Sequence, residues 1–299
     1  MQILNMTRKR FESLESLNLP DVIFNTEATM FLVTEKNKWR KKQEVLKKLY
    51  NSRGEVFSNK LYTINELIEK REIIGIPELI MPTSLAAVNG DIVGFTMPYV
   101  PNINFQTVLN SDNYTLEQKV GYLKEIGELL DKIRKVRKYS SVTDFYLNDI
   151  HEQNFILSKE TGKICAVDLD SAKIGNNLVM ASRYLTPNSQ LPLVSKYVPL
   201  EYSVGGVYEV NENTELYCYI IMILNFFYGS NISKLSLADF YVYLDYLSKI
   251  GVSKEILDII SYIYTGHDNK NPYELLDLLI PFYGRTHQNT FECVRKRTL

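Results

Sequence analysis

The chain has 299 residues, 23% of them charged and 45% hydrophobic, and its 34 Lys and Arg almost balance its 35 Asp and Glu. That length buries a sizeable core, in one large domain or in two lobes sharing an interface. The balance excludes a global field that would draw the protein to nucleic acid or anionic lipid, so any such binding would have to be local. Cys165, Cys218 and Cys293 lie far apart without a CxxC pair, which argues against a zinc site or a disulfide framework and fits a reducing compartment.

Residues 1–19 read as a polar N-terminal arm without the apolar core of a signal peptide, so the cytoplasm is the expected location. From 20 to 100 the texture is mostly that of strands. "DVIFNTEATMFLVTEKNK" gives two short β-rich runs, "KKQEVLKKLY" a third, and "LAAVNGDIVGFTMPYV" a hairpin turning at "NGD". Between them "TINELIEKREII" has helical spacing, with Ile64, Leu67, Ile68 and Ile74 on one side and Thr63 with Glu66 as a capping box.

The texture changes near residue 101. In "TLEQKVGYLKEIGELLDKIRKV" the residues Leu116, Val120, Leu123, Ile126, Leu130 and Ile133 form one apolar stripe. Thr115 and Gln118 supply its capping box, and Lys132, Arg134, Lys135 and Arg137 load the end where the helix dipole favours cations. "NFILS" and "KICAVDLD", joined by "KETGK", predict a small β-hairpin. Helices follow at 213–228, about 235–249, about 253–264 and about 272–283, and 286–299 is left as a C-terminal tail. The run "LYCYIIMILNFFYG" is too short to cross a bilayer, which takes about 20 apolar residues, and reads as a buried helix. The expected fold is α+β: a small β-rich N-lobe with one helix over 20–100, a hinge near 97–102, and a larger, mainly helical C-lobe over 101–285.

Asp149 and Asn154 stand just before the first strand of the predicted hairpin and Asp168 just after the second, so pairing the strands brings the three to one end. A carboxylate and an amide oxygen suit Mg²⁺, which leaves its other positions to water and phosphate. A further carboxylate can orient a hydroxyl and accept its proton. The bland alternative is two Asx-rich turns flanking a hairpin, since Asp and Asn favour turns for local reasons.

"LNDIHEQN" followed by a hairpin and "VDLD" resembles the catalytic and metal-binding loops of the protein kinase-like superfamily, HRDxxxxN and DFG. The order of elements is similar to that two-lobed fold over roughly 20–285. The resemblance implies ATP and Mg²⁺ as cofactors, Asp149 as the catalytic base, and Asn154 and Asp168 as metal ligands. It implies a phosphate-binding lysine from "EVLKKLY": Lys47, which shares a strand face with Val45, with Lys48 as the alternative. Its carboxylate partner would be Glu66 or, one turn on, Glu69. The backbone of Met97, Pro98 and Tyr99 would meet the adenine edge. "KYVPLEY" resembles the segment that anchors a substrate-docking loop, with Glu201 in it, and Glu215 stands where the buried central helix of that family usually has Asp.

The sequence departs from the family in several places. "FNTEATMF" replaces the glycine-rich loop, Leu147 and Asn148 replace the His and Arg before the base, and Asp170 replaces the glycine after Asp168. His151, two residues after Asp149, stands where Ser/Thr protein kinases usually have Lys and small-molecule kinases of this superfamily often have His. Three functions therefore stand: a Ser/Thr protein kinase with a protein substrate, favoured by the long Asp168–Glu201 segment in which Ser182, Thr186, Ser189 and Ser195 are phosphorylation candidates; an aminoglycoside-like small-molecule kinase; and a pseudokinase serving as an interaction module. Neither membrane nor nucleic-acid partners are expected.

Overall fold

The computed structural model describes residues 3–17, 28–37, 40–50, 54–179, 183–184, 210–232, 235–265 and 272–298. Over these the chain is α+β, and it divides into two compact units: Met1–Asn113 with Leu129–Leu147 and Gln153–Leu178, and Tyr114–Glu128 with Asn148–Glu152 and Val179–Leu299.

The first unit is built on a six-stranded sheet. Its strands are β1 (Ile3–Met6), β2 (Glu15–Ser16), β3 (Ala28–Asn37), β4 (Arg40–Leu49), β5 (Ser84–Val88) and β6 (Asp91–Pro98), in the order β1-β5-β6-β4-β3-β2. The β5–β6 turn falls at Asn89 and Gly90, as "NGD" predicts, and both have positive φ (52° and 91°). The N-terminal segment is not an arm. β1 pairs parallel with β5, and the short helix α1 (Arg8–Glu12) sets Phe11 against Phe31 at 5.1 Å between ring centroids. Leu4, Met6, Phe11 and Leu14 thereby pack with Val33, Leu46 and Ala86 on one face of the sheet. A strand of only four residues carries too little alternation to stand out in sequence.

The other face is covered by α2 (Glu55–Ile74), whose Phe57 and Ile64 pack with Val45, Leu49, Leu85, Phe95 and Met97. α2 begins eight residues before the predicted capping box. Thr63 is therefore interior to the helix, where its hydroxyl donates to the Asn59 carbonyl (3.1 Å). A second, three-stranded sheet has the order β7 (Asn102–Asn104), β8 (Phe155–Ser158), β9 (Ile164–Ala166). The β8–β9 hairpin is the predicted one. β7 and the short helix α3 (Phe105–Asn110), capped by Asn104, were not legible as periodic runs.

α4 (Leu116–Tyr139) gives its first half to the second unit and its second half to the first. Its capping box is present: Thr115 N donates to Gln118 Oε1 (2.8 Å) and Gln118 N to Thr115 Oγ1 (3.3 Å). The buried stripe runs through Leu129, with Leu130 only half-buried, because 3.6 residues per turn brings 129 under Ile126.

The second unit is organised around α5 (Glu212–Tyr228), whose residues Tyr217 to Leu224 are all buried. Tyr219 OH donates to the Leu123 carbonyl (2.7 Å). α6 (Leu237–Lys249), α7 (Lys254–Thr265) and α8 (Pro272–Leu279) follow, then a one-turn 3-10 segment Ile280–Phe282. The expected C-terminal tail is helix α9 (Gln288–Thr298), which buries Phe291 between Tyr243 and Tyr246 (5.4 and 5.5 Å between centroids). Arg295 of this polar helix also pairs with Asp239 of α6 (2.9 Å). No helix among the described residues is long and apolar enough to cross a membrane.

Candidate functional site

Adjacent lysines on β4 face opposite ways, as the two-residue period of a strand requires. Val45 and Lys47 lie on the α2 side, whereas Leu46 belongs to the opposite cluster and Lys48 Nζ stands 5.5 Å from the Phe11 ring on that same side. This separates Lys47 from its alternative. Beside it β6 approaches so closely that a Cβ on Gly94 would come within 1.9 Å of the Lys47 carbonyl oxygen, so the strand next to Lys47 admits only glycine at 94.

Lys47 is 6% exposed, and its ammonium pairs with the Asp168 carboxylate and with Asp170 Oδ1 (2.7 Å). Lys60 Nζ from α2 lies 3.4 Å from Asp170 Oδ2. Burial works to discharge Lys47, but the two carboxylates outweigh it and hold the ammonium well above its ordinary range. Burial likewise works to protonate Asp170, and Lys47, with Lys60 beside it, holds that carboxyl far below the aspartate range. Asp168 is shifted up, by the protein atoms crowded around its carboxylate and by repulsion from Asp170, so of two carboxylates sharing one lysine it is the one that takes a proton first.

Local backbone explains how Asp168 reaches this place. β9 ends at Ala166, and Val167 N donates to the Asn154 carbonyl (2.9 Å), which sets Asn154 beside the residue before Asp168. Asp168 then takes a left-handed conformation (φ 62°, ψ 41°), uncommon for a residue other than glycine and frequent at functional sites. Its side chain is 43% exposed, while that of Asp170 is 2% exposed. The donor types fit Mg²⁺: a solvent-reaching carboxylate on Asp168 and, tied alongside through its backbone, an amide oxygen on the half-buried Asn154.

Glu66 is not on Lys47. Its Oε2 pairs with Lys70 (2.7 Å) and lies beside Gly175, where an added Cβ would come within 3.1 Å of it. Glu69 likewise accepts from Asn65 Nδ2 (3.0 Å). The stretch expected to meet adenine is the end of β6. Met97 is buried opposite Val45, Pro98 has no N–H, and the Tyr99 N–H donates to the Gln43 carbonyl (3.2 Å), so the backbone donors of this stretch are committed to β4 or absent. Sequence reasoning missed Asp170 and Lys60. The acidic "DLD" was the signal for the first, and Lys60, thirteen residues from Lys47 on another element, had none.

Asp149 belongs to the second unit and follows Asn148, which is also left-handed (φ 55°). Asp149 Oδ1 accepts from the Arg183 N–H (3.0 Å), and Oδ2 lies 3.3 Å from His151 Nε2. His151 is buried and meets Tyr184 edge-on (6.4 Å). The Tyr184 hydroxyl donates to Glu152 Oε2, and burial pushes this phenol well above its ordinary value. Glu215 is buried in the first turn of α5. Glu201, Ser182, Thr186, Ser189 and Ser195 lie outside the described residues. No protein-family model matches the chain, and no curated protein matches it significantly.

Proposed function

We propose that the chain is an ATP- and Mg²⁺-dependent phosphotransferase of the protein kinase-like fold, acting as a Ser/Thr protein kinase. The observation that carries this reading is the pairing of Lys47, on the central part of the sheet, with Asp168, which leaves the end of a hairpin 121 residues later. A buried lysine held by an exposed carboxylate of this kind suits a nucleotide's phosphates. Asp168 and Asn154 would hold Mg²⁺, which when bound neutralises charge on the phosphate oxygens. Lys47 donates to the nucleotide phosphates and fixes their position. Asp149 orients the acceptor hydroxyl and accepts its proton as the new O–P bond forms and the bond from the γ-phosphorus to the β–γ bridging oxygen breaks.

A second reading, transfer to a small-molecule hydroxyl, is favoured by one specific contact, His151 beside Asp149. Incubation with labelled ATP and Mg²⁺, followed by intact-mass measurement of wild type and Asp149→Asn, tests the proposal. Phosphate on the wild type alone supports the protein kinase. Thermal stabilisation by Mg-ATP without self-labelling moves the reading to a small-molecule acceptor, found by acceptor screening. Neither labelling nor stabilisation overturns it in favour of an interaction module.

A further inference from the structure

In the first unit α2 meets the segment after β9 along one side. Asn59 Oδ1 accepts from Leu178 N (2.8 Å) and its amide donates back to the Leu178 carbonyl. Thr63 Oγ1 accepts from Asn177 Nδ2 (2.7 Å) and Tyr62 OH from Asn176 N (3.4 Å). Asn177 also braces its own loop, donating to the Ala172 carbonyl and accepting from Ile174 N. Glu66, further along α2, is engaged with Lys70, and Lys60 reaches the Asp170 carboxylate. The helix thus meets the site with a cation, and a loop aspartate meets the lysine.

We propose that Asp170 is the positioning residue that fixes Lys47, with Lys60 fixing Asp170 in turn, so that α2 supports the site through a lysine and not through Glu66. Lys47 ends a flexible four-carbon stem and needs a fixed counter-ion to hold one position. Asp168 cannot serve throughout, because it is the exposed carboxylate and is wanted by the metal. Asp170, enclosed and bonded on both oxygens, keeps Lys47 compensated when Asp168 turns to another ligand. Both aspartates belong to one turn, with Asp168 as the N-cap of the 3-10 segment Leu169–Ser171, so lysine and metal ligand are positioned by the same few residues. Activity is then independent of the carboxylates on α2.

The inference concerns the nucleotide site proposed above and rests on that reading for its ATP arm only. Two measurements are made on wild type, Glu66→Gln, Lys60→Met, Asp170→Asn and the Lys60→Met/Asp170→Asn double variant: Mg-ATP affinity by calorimetry, and trace acetylation of Lys47 without nucleotide, read by peptide mass spectrometry against the other lysines. Glu66→Gln should stay within about twofold of wild type in both, as expected for a same-helix ion pair. Asp170→Asn should weaken Mg-ATP binding and raise Lys47 acetylation by about tenfold, since a buried charge has lost the enclosed one of its two partners and keeps only the solvent-reaching Asp168. Lys60→Met should shift both the same way by less, and the double variant should be no worse than Asp170→Asn, because Lys60 acts through Asp170. Glu66→Gln behaving like Asp170→Asn, or wild-type acetylation of Lys47 in a folded Asp170→Asn, overturns the proposal. Should Asp170→Asn fail to fold, Lys60→Met decides: acetylation unchanged there overturns it, and acetylation raised there but not in Glu66→Gln supports it. The expected acetylation pattern in a protein that binds no Mg-ATP supports the anchor while removing the phosphotransferase reading.

Discussion

The two sets of carboxylates meet different partners. Asp168 and Asp170 share the ammonium of Lys47, and Asp170 adds Lys60, whereas Asp149 is contacted by a backbone N–H and an imidazole. The first arrangement is a balanced set of charges whose members can exchange one partner for a phosphate or a cation at little electrostatic cost. The second sets a carboxylate against one backbone hydrogen bond and an imidazole, an arrangement that suits proton transfer from a hydroxyl. On the function proposed above, the difference would separate binding from chemistry, and each variant below tests one side of that separation.

The largest effect is expected at Asp149. Asp149→Asn should lower turnover by about 10²- to 10⁴-fold, the usual worth of a positioned base, while Mg-ATP affinity from calorimetry stays within about threefold. A parallel fall in affinity would erase the distinction. Asp168→Ala should do the reverse, removing the thermal stabilisation that Mg-ATP gives to wild type, with the ligand-free fold retained by circular dichroism. Next comes the lysine pair on β4: Lys47→Met should weaken nucleotide binding by about tenfold or more, whereas Lys48→Met, on the Phe11 face, should leave it unchanged.

Gly94→Ala probes the same strand through its backbone. The added methyl would meet the Lys47 carbonyl, so β4 and β6 must part, and the melt should show a loss of about 1–3 kcal/mol with nucleotide affinity falling alongside it. The smallest effect is electrostatic. Asp168 binds its proton more tightly in the folded chain than the ordinary aspartate value of 3.8, so its stabilising contribution is present below that pH and is lost as pH rises through the folded value. Ligand-free wild type should therefore lose stability relative to Asp168→Asn as pH is raised from about 4 towards neutrality. Added Mg²⁺ should remove the difference by taking the proton's place.

Long periodic segments and local turn chemistry were written in the chain. The stripe and capping box of α4, the Asn-Gly hairpin, the β8–β9 hairpin and the buried α5 follow from spacing alone, because each depends on residues within a few positions of one another. The same holds for Val45 and Lys47 sharing a face and for Asp168 leaving the end of a strand. Tertiary structure decided what depends on distant partners. Residues 3–6 became a strand because β5 offered a free edge, and 288–298 a helix because Tyr243 and Tyr246 could receive Phe291. Likewise Lys47 found its counter-ion on a loop more than a hundred residues away and not on the helix nearest in sequence, since burial leaves a charge stable only beside whichever opposite charge the fold brings within reach.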